Sequence, residues 1–178
     1  SGFMAGAGSG WRVAVMRPGE DPIGQLAAAM ATPDVLGDPD GLGDTQRILV
    51  ETTLRRGKLG FVQAVQHARM PADQNVLVLV DQFEELFRFR RRRHANSRDD
   101  AVAFVRLLLE AAGQHERPVY VALTMRSDFI GNCTEFEGLT EAINEGQYLV
   151  PRMNRDERRS AIVGPVAMKV LGTVPVGR

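Results

Sequence analysis

The chain has 178 residues, of which 44% are hydrophobic and 25% are charged, as is typical of one globular domain. Basic and acidic residues both number 22, so the net charge gives no reason to expect nucleic acid or an anionic membrane as a partner. The single cysteine, Cys133, excludes an internal disulfide, and no apolar run reaches the ~20 residues that span a bilayer. Because the first ten residues also lack a signal-peptide pattern, the sequence predicts a cytoplasmic protein.

Residues 1–10 are rich in glycine and could suggest a loop that binds phosphate. Such a loop follows a strand, contains Gly-Lys-Ser/Thr and opens a helix. Here the glycines precede a strand-like segment, residues 11–16, and the first lysine is Lys58. We therefore expect residues 1–10 to form a flexible connector.

A strand followed by a helix is predicted next. The strand comprises residues 11–16 and ends before Pro18, since proline cannot extend a ladder. Asp21 is placed to cap a helix that begins with a proline and continues through an alanine-rich run to Ala31. These elements indicate a βα unit.

Two more helices are predicted after a loop rich in glycine and aspartate. The first covers residues 45–56, with Asp44 as its cap, and the second covers residues 60–70, where apolar residues form one stripe. His67 lies off that stripe, and no His or Cys stands near it at ligand spacing. We therefore expect His67 to be a surface residue and not a metal ligand.

The segment NVLVLVDQFEELFRF, residues 75–89, is the part of the sequence whose order calls for a chemical explanation. Residues 76–80 are consecutive Val and Leu, a run too short for a helix, which predicts a strand of a parallel sheet buried on both faces. Asp81 follows at the carboxyl end of this strand, the edge where open α/β sheets bind ligands. A carboxylate placed there can hold a metal ion.

Two more carboxylates follow Asp81 at helical spacing. If the chain turns helical at Gln82, Glu84 and Glu85 stay near the same end of the site. An apolar strand followed by Asp and further acids is the Walker B arrangement of P-loop NTPases, where the Asp holds Mg²⁺ at the nucleotide phosphates. The alternative is an ordinary buried strand that enters a helix whose early carboxylates favour the helix dipole.

A second group of polar residues is predicted at the same sheet edge. Residues 119–125 have the pattern of a third strand, which ends in Thr124 and is followed by Arg126. A guanidinium group suits phosphate oxygens, so a phosphate site is expected here, and the alternative is a helix start capped by Asp128. Cys133 has no nearby histidine and is expected to be packed in the structure, not nucleophilic.

Five arginines among residues 88–94 form the one strong charge cluster of the sequence. They could contact nucleic acid phosphates or an acidic partner, but such clusters are more often solvated loops, so nucleic acid is not the expected partner.

The end of the chain is predicted to contain a short strand and a helix. Residues 148–150 have the pattern of a fourth strand. Asn154 and Glu157 resemble a capping box at the start of a helix, which we expect to end at Val163 because Gly and Pro165 follow.

Four segments in this order strongly resemble the novel STAND NTPase family, signal-transduction ATPases related to AAA+ proteins: WRVAVMRPGEDP, VLVLVDQFEELF, LTMRSDFIGNC and YLVPRMNRDERRSAIVGP. The resemblance implies an α/β fold, a P-loop NTPase-like three-layer sandwich with a mostly parallel sheet, and ATP and Mg²⁺ as ligands. It also implies roles for five residues: Asp81 as the Walker B metal ligand, Glu84 or Glu85 in hydrolysis, and Thr124 and Arg126 as a sensor of the γ-phosphate.

The sequence departs from the family pattern in two ways. The family's first strand, its Gly-Lys-Ser/Thr loop and the following helix are not found before residue 11, so we expect a fragment that is inactive alone. In that interpretation residues 11–152 are the Walker B and sensor part, and residues 153–178 begin the helical lid. Gln82 is the second departure, because many related ATPases place the catalytic acid there.

The resemblance also implies partners: the missing P-loop segment, C-terminal effector or repeat domains, and a second copy of the chain in a homo-oligomer. A nucleotide-independent interaction module is the alternative function. From the strand order of the fold that the chain resembles, we predict adjacent parallel strands containing Val13, Leu77 and Val121, with the Leu77 strand in the middle. The absent first strand would lie between the third strand and residues 148–150.

Overall fold

A computed structural model of the chain describes residues 10–37, 43–68, 70–71, 73–90, 95–114 and 119–170, without the side chains of residues 89–98 and 165–170. The chain divides into two compact units, Ser1–Gly146 and Gln147–Arg178. Every residue for which the sequence predicts a functional role lies in the first unit.

The first unit contains a sheet and most of the helices. Its strands are β1 (Gly10–Met16), β2 (Gln74–Val80) and β3 (Val119–Leu123). Its helices are α1 (Pro22–Met30), α2 (Gly43–Leu54), α3 (Gly60–His67), α4 (Glu85–Arg90), α5 (Ala95–Ala112), a 3-10 helix (Ser127–Glu135) and α6 (Leu139–Gly146). The second unit contains α7 (Arg155–Val170). Within the described ranges, no helix has the length and apolar character needed to cross a membrane.

The three strands form one parallel sheet in the order β1-β2-β3, which confirms the predicted topology. Val13 pairs with Leu77, and Leu77 pairs with Tyr120 on the other side. At the carboxyl ends, Met16, Val80 and Leu123 lie in one row. The residue that follows each strand therefore emerges at the same edge of the sheet.

One face of the sheet carries the hydrophobic core. Alternate strand residues such as Ala14, Val78 and Val80 are buried together with the apolar faces of the surrounding helices. The opposite face is more open, since Val13 and Val15 are 45% and 59% exposed. The α/β class is thus confirmed. In the described residues helices cover one face of the sheet. The second helical layer of a three-layer sandwich stays a prediction.

This one-sided packing corrects the prediction that the central strand is buried on both faces. Val76, Val78 and Val80 are buried, but Leu77 and Leu79 between them are half-buried. The sequence shows the same apolar residue types at all five positions, and tertiary packing decides which ones lose contact with water.

Two predicted helix caps are confirmed, at Asp21 and Asn154, whereas Asp44, predicted as a cap, lies within the first turn of α2. Asp21 caps α1 through a hydrogen bond from the Gly24 amide to its Oδ1 at 3.0 Å, which satisfies one of the free N–H groups of the first turn. At α7, the Glu157 amide donates to Asn154 Oδ1 at 2.9 Å, and Glu157 Oε2 accepts from the Asn154 amide at 2.8 Å. This reciprocal pair is the predicted capping box.

Three predicted elements are wrong. Residues 148–150 form no strand, and Tyr148 and Val150 are 84% and 74% exposed, because no described strand offers them a ladder. Helix α7 continues through Pro165 to Val170, since a proline removes one helical hydrogen bond without always ending the helix. The helix after the central strand begins at Glu85 and not at Gln82.

Candidate nucleotide-binding site

The carboxyl edge of the sheet brings together one residue from the end of each strand. Arg17 follows β1, Asp81 follows β2 and Thr124 follows β3. The Thr124 hydroxyl donates to Asp81 Oδ1 at 2.7 Å. Arg17 donates from Nε to Asp81 Oδ2 at 3.0 Å, and its Nη2 lies 3.0 Å from the same oxygen. Both oxygens of the Asp81 carboxylate therefore have a partner.

Backbone hydrogen bonds position these side chains beyond the last paired residues of the sheet. The Asp81 amide donates to the Met16 carbonyl at 2.8 Å, and the Thr124 amide donates to the Val80 carbonyl at 2.9 Å. The Phe83 amide then donates to the Thr124 carbonyl at 2.9 Å, while the Phe83 ring is fully buried. The ladder and this ring hold the turn after β2 against the end of β3.

The turn after β2 depends on an unusual backbone conformation at Gln82. Its φ of 54° is in the left-handed region, where residues other than glycine are uncommon. The backbone amide of Gln82 donates to Thr124 Oγ1 at 3.1 Å. Its side-chain amide, when oriented to match its neighbours, donates to Glu85 Oε1 at 3.2 Å and accepts from Arg17 Nη2 at 3.1 Å. These contacts stabilise the conformation and explain why the predicted helix starts three residues later.

The two glutamates of the turn have different surroundings. Glu85 is half-buried, and besides Gln82 it accepts from the Gly19 amide at Oε2, at 3.2 Å. Glu84 is only 8% exposed, and its Oε2 is buried without a hydrogen-bond partner among the described residues. A buried carboxylate oxygen without a partner is costly, so its presence calls for a functional explanation.

Arg126 lies outside this hydrogen-bonded group. Its Nε and Nη2 donate to Asp128 Oδ1 and Oδ2 at 3.1 and 2.8 Å, and its guanidinium lies 5.9 Å from the centre of the Phe129 ring. The bidentate bond lowers the pKa of Asp128, which keeps this carboxylate charged. Asp128 is thus a partner of Arg126, whereas the residue at the cap position of the 3-10 helix is Arg126 itself.

The electrostatics of Asp81 favour a carboxylate that binds cations. The hydrogen bond from Thr124 lowers its pKa most, and the hydrogen bond and positive charge of Arg17 lower it further. Asp81 is therefore charged at neutral pH. Carboxylate and hydroxyl oxygens are hard donors, and Mg²⁺ is usually held by one or two carboxylates together with waters and phosphates.

The Asp81 carboxylate and the Thr124 hydroxyl fit Mg²⁺ better than a metal whose ligands all come from protein side chains. Among the residues that the structure describes, no group of three or more His, Cys, Asp or Glu side chains forms a metal-binding cluster.

Cys133, predicted to be packed, is buried, and burial raises the pKa of its thiol. His67 is exposed, as predicted.

The profile of the family described as Novel STAND NTPase 1 matches residues 4–174, which is nearly the whole chain. The chain belongs to this family. No curated protein and no solved structure gives a significant match. Membership of the Novel STAND NTPase 1 family makes the chain a nucleotide-binding signalling domain in general terms, and the strand-end residues above are its candidate site.

The sequence of this Novel STAND NTPase 1 domain led to Asp81, Thr124 and Glu85; the structure brings Asp81 and Thr124 into contact and places Glu85 in the turn that follows β2, bound to Gly19. It places Glu84 in the same turn and Arg126 on a separate ion pair. Most of the arginine cluster at residues 88–94 lies outside the described residues.

Arg17 is the functional candidate that sequence analysis missed. It was interpreted only as part of the segment that ends β1. A signal was present, however, because Arg17 follows its strand directly, as Asp81 does. In a parallel sheet with Met16 and Val80 in register, the next two residues must be neighbours.

Proposed function

We propose that this chain carries the metal-binding and phosphate-sensing part of an ATP-hydrolysing molecular switch. The observation that supports it most is the convergence of Arg17, Asp81 and Thr124 on one sheet edge, in a chain of the Novel STAND NTPase 1 family. Open α/β sheets bind their ligands at this edge. The proposal accounts for a charged carboxylate placed where a nucleotide's phosphates would lie.

Asp81 would hold Mg²⁺, and Thr124 would orient the carboxylate. Its hydroxyl contacts Asp81 Oδ1, and its backbone is held by the ladder on one side and by the Phe83 amide on the other. When bound, the metal ion supplies neutralisation of the negative charge that develops during phosphoryl transfer. The protein's own contribution is to keep the Asp81 carboxylate charged and in one orientation.

Between the two glutamates, Glu84 is our candidate for activating water. Both Glu85 oxygens already accept hydrogen bonds, from Gln82 and Gly19, so Glu85 is suited to holding the turn. Glu84 retains an oxygen without a partner in the described part of the chain. A general base needs a free oxygen to accept a proton, and because this oxygen is buried, the attacking water would have to enter the turn beside it.

Arg126 would sense the γ-phosphate. Its guanidinium is bound to Asp128 in this structure, but both side chains are well exposed, at 69% and 58%. An exposed ion pair contributes only about 0–1 kcal/mol, so a phosphate group can compete for the arginine. The partners we propose are a P-loop segment that grips the phosphates and effector or repeat domains that receive the signal.

The test is ATP hydrolysis by the full-length protein. Asp81→Asn keeps the shape of the side chain and removes its charge, and we expect Mg²⁺-dependent phosphate release to fall by about 100-fold or more. Asp100→Asn is the matched control, because Asp100 pairs with Arg55 on the helical surface and should leave hydrolysis unchanged. Unchanged hydrolysis in the Asp81 variant would refute the proposal.

ATP binding by the 178-residue chain gives a second test. Its sequence has no Gly-Lys-Ser/Thr segment, and the backbone N–H groups and lysine of such a loop supply most of the phosphate grip in P-loop proteins. We therefore expect weak binding of a labelled ATP analogue. Tight, Mg²⁺-dependent binding that Asp81→Ala removes would contradict this expectation and show a complete site.

A further inference from the structure

We infer that Arg17 is the counter-cation of Asp81 in the metal-free protein and that Mg²⁺ binding displaces it. This inference rests on the proposed function, since it concerns the same carboxylate. It assigns a role to a residue of the β1–α1 loop, residues 17–20, to which neither the family resemblance nor the sequence pattern gave one.

The geometry leaves the metal little room on the oxygen that Arg17 contacts. A carboxylate has about two acceptor positions on each oxygen. At Asp81 Oδ2 one position is used by Arg17 Nε–H, which donates at 3.0 Å, and Arg17 Nη2 lies 3.0 Å from the same oxygen, where it crowds the other position. A cation bound to that oxygen would also be repelled by the guanidinium charge a few ångströms away. Arg17 and a divalent cation therefore compete.

The exchange is feasible because the pair is accessible to water. The Arg17 and Asp81 side chains are 59% and 34% exposed, so the ion pair is weak enough to open. The Thr124 hydroxyl, in contrast, uses one of the two acceptor positions on the other oxygen and has no charge to compete with the metal. It can stay in place while Arg17 leaves.

Release of Arg17 would change how the β1–α1 loop is held. Three side chains of the turn after β2 contact this loop: Asp81 and Gln82 contact Arg17, and Glu85 accepts from the Gly19 amide at 3.2 Å. The loop leads directly into α1, whose cap is Asp21. Metal binding would remove the contact between Asp81 and Arg17 and leave the contact between Glu85 and Gly19. The β1–α1 loop is therefore the first segment whose contacts change when the metal binds.

The experiment is a titration of the ¹⁵N-labelled 178-residue chain with Mn²⁺, read as paramagnetic broadening of the Gln82 and Thr124 amide signals. Arg17→Gln removes the competing charge and should lower the Mn²⁺ concentration for half-broadening by about three- to tenfold. Arg17→Lys keeps a positive charge and should behave nearly like the wild type. Arg106→Gln, on α5 and paired with Glu137, is the control for loss of any surface arginine.

The outcomes separate the inference from the proposed function. If Arg17→Gln leaves the midpoint unchanged or raises it, the competition is refuted, while loss of broadening in Asp81→Asn still supports the metal site. If Asp81→Asn broadens like the wild type, or if no variant broadens at all, the metal assignment itself fails, and the inference fails with it.

A diamagnetic titration adds a direct view of Arg17. With Mg²⁺ in place of Mn²⁺, the Arg17 Nε–H signal should move as its hydrogen bond to Asp81 is lost, and it should not move in Asp81→Asn. A wild-type signal that stays unchanged while Mg²⁺ binds would overturn the displacement.

Discussion

Two arginines of this domain each bind carboxylates, and their surroundings differ. Arg55 contacts three carboxylates from three elements: Asp21 at 3.1 Å, Glu51 at 3.0 Å and Asp100 at 3.4 Å. It therefore joins the start of α1, the end of α2 and the start of α5. Arg17 contacts one carboxylate at the end of a strand, beside a hydroxyl group and a residue with positive φ.

The structural cluster at Arg55 and the candidate site at Asp81 differ in how their contacts are made. Acids outnumber the arginine at Arg55, and all its contacts are made by helical segments of one packed layer. At the sheet edge the contacts are made by loops, the carboxylate is held in one orientation by Thr124, and the backbone at Gln82 is strained. Strained backbone and preorganised carboxylates are typical of ligand sites.

Removal of the ring beneath the sheet edge should have the largest effect on the molecule. Phe83→Ala deletes a fully buried ring, and we expect a loss of about 3–5 kcal/mol in the free energy of unfolding, measured with urea. Phe104→Ala removes an equally buried ring from α5 and should cost a similar amount. In addition, only the Phe83 variant should weaken Mn²⁺ broadening at Thr124; equal broadening in both would mean that the ring does not position the turn.

Substituting Glu84 and Glu85 one at a time should show which glutamate takes part in catalysis and which one positions the turn. In the full-length protein, Glu84→Gln should reduce ATP turnover by about 100-fold, in the range expected for loss of a general base. Glu85→Gln keeps an oxygen for the Gly19 amide and should reduce turnover by less than about tenfold. The opposite order would assign water activation to Glu85.

Arg55→Gln tests the structural cluster and should have a moderate effect. It leaves three carboxylates near one another without their common cation, and we expect a loss of about 1 kcal/mol in unfolding free energy, since all partners are partly exposed. Lys58→Gln, which breaks a single exposed pair with Glu110, should cost less than about 0.5 kcal/mol. Mn²⁺ binding at Asp81 should be the same in both variants, and a change in the Arg55 variant would connect the two clusters.

Thr124→Val should have the smallest effect of these changes. The quantity that it should change is the pKa of Asp81. Without the hydroxyl hydrogen bond, which is the largest cause of the lowered pKa, the Asp81 pKa should rise towards its ordinary value. The native pKa is depressed, so its contribution to stability is present at neutral pH and is lost as the pH falls below about 4, through the lowered pKa. In the variant this pH dependence should shrink.

The ¹³C chemical shift of the Asp81 carboxyl, followed against pH, measures the change directly. Thr134→Val is the control, because that hydroxyl donates to the Gly131 carbonyl and has no contact with Asp81. An Asp81 pKa that is the same in the Thr124 variant and the wild type would show that the hydroxyl does not hold the carboxylate charged.

The residue pattern was sufficient for the parallel strands and for Asp81 and Thr124 at their carboxyl edge, and the family resemblance added the strand order. Val76, Val78 and Val80 belong to a run that only a buried strand explains, and Asp81 must then follow at the edge. The caps at Asp21 and Asn154 were also predictable, because capping is a local interaction between residues two or three positions apart.

Only the tertiary structure decided which side chains contact Asp81 and which face of the sheet is buried. Thr124 and Arg17 are 43 and 64 positions away from Asp81 in the chain, so their contacts depend on strand register, which no local pattern encodes. The turn at Gln82 likewise depends on acceptors from two other segments, and without them a helical start was the natural expectation. Local propensity determines elements, but the convergence of three strand ends determines the site, because contacts between distant segments exist only once the sheet has formed.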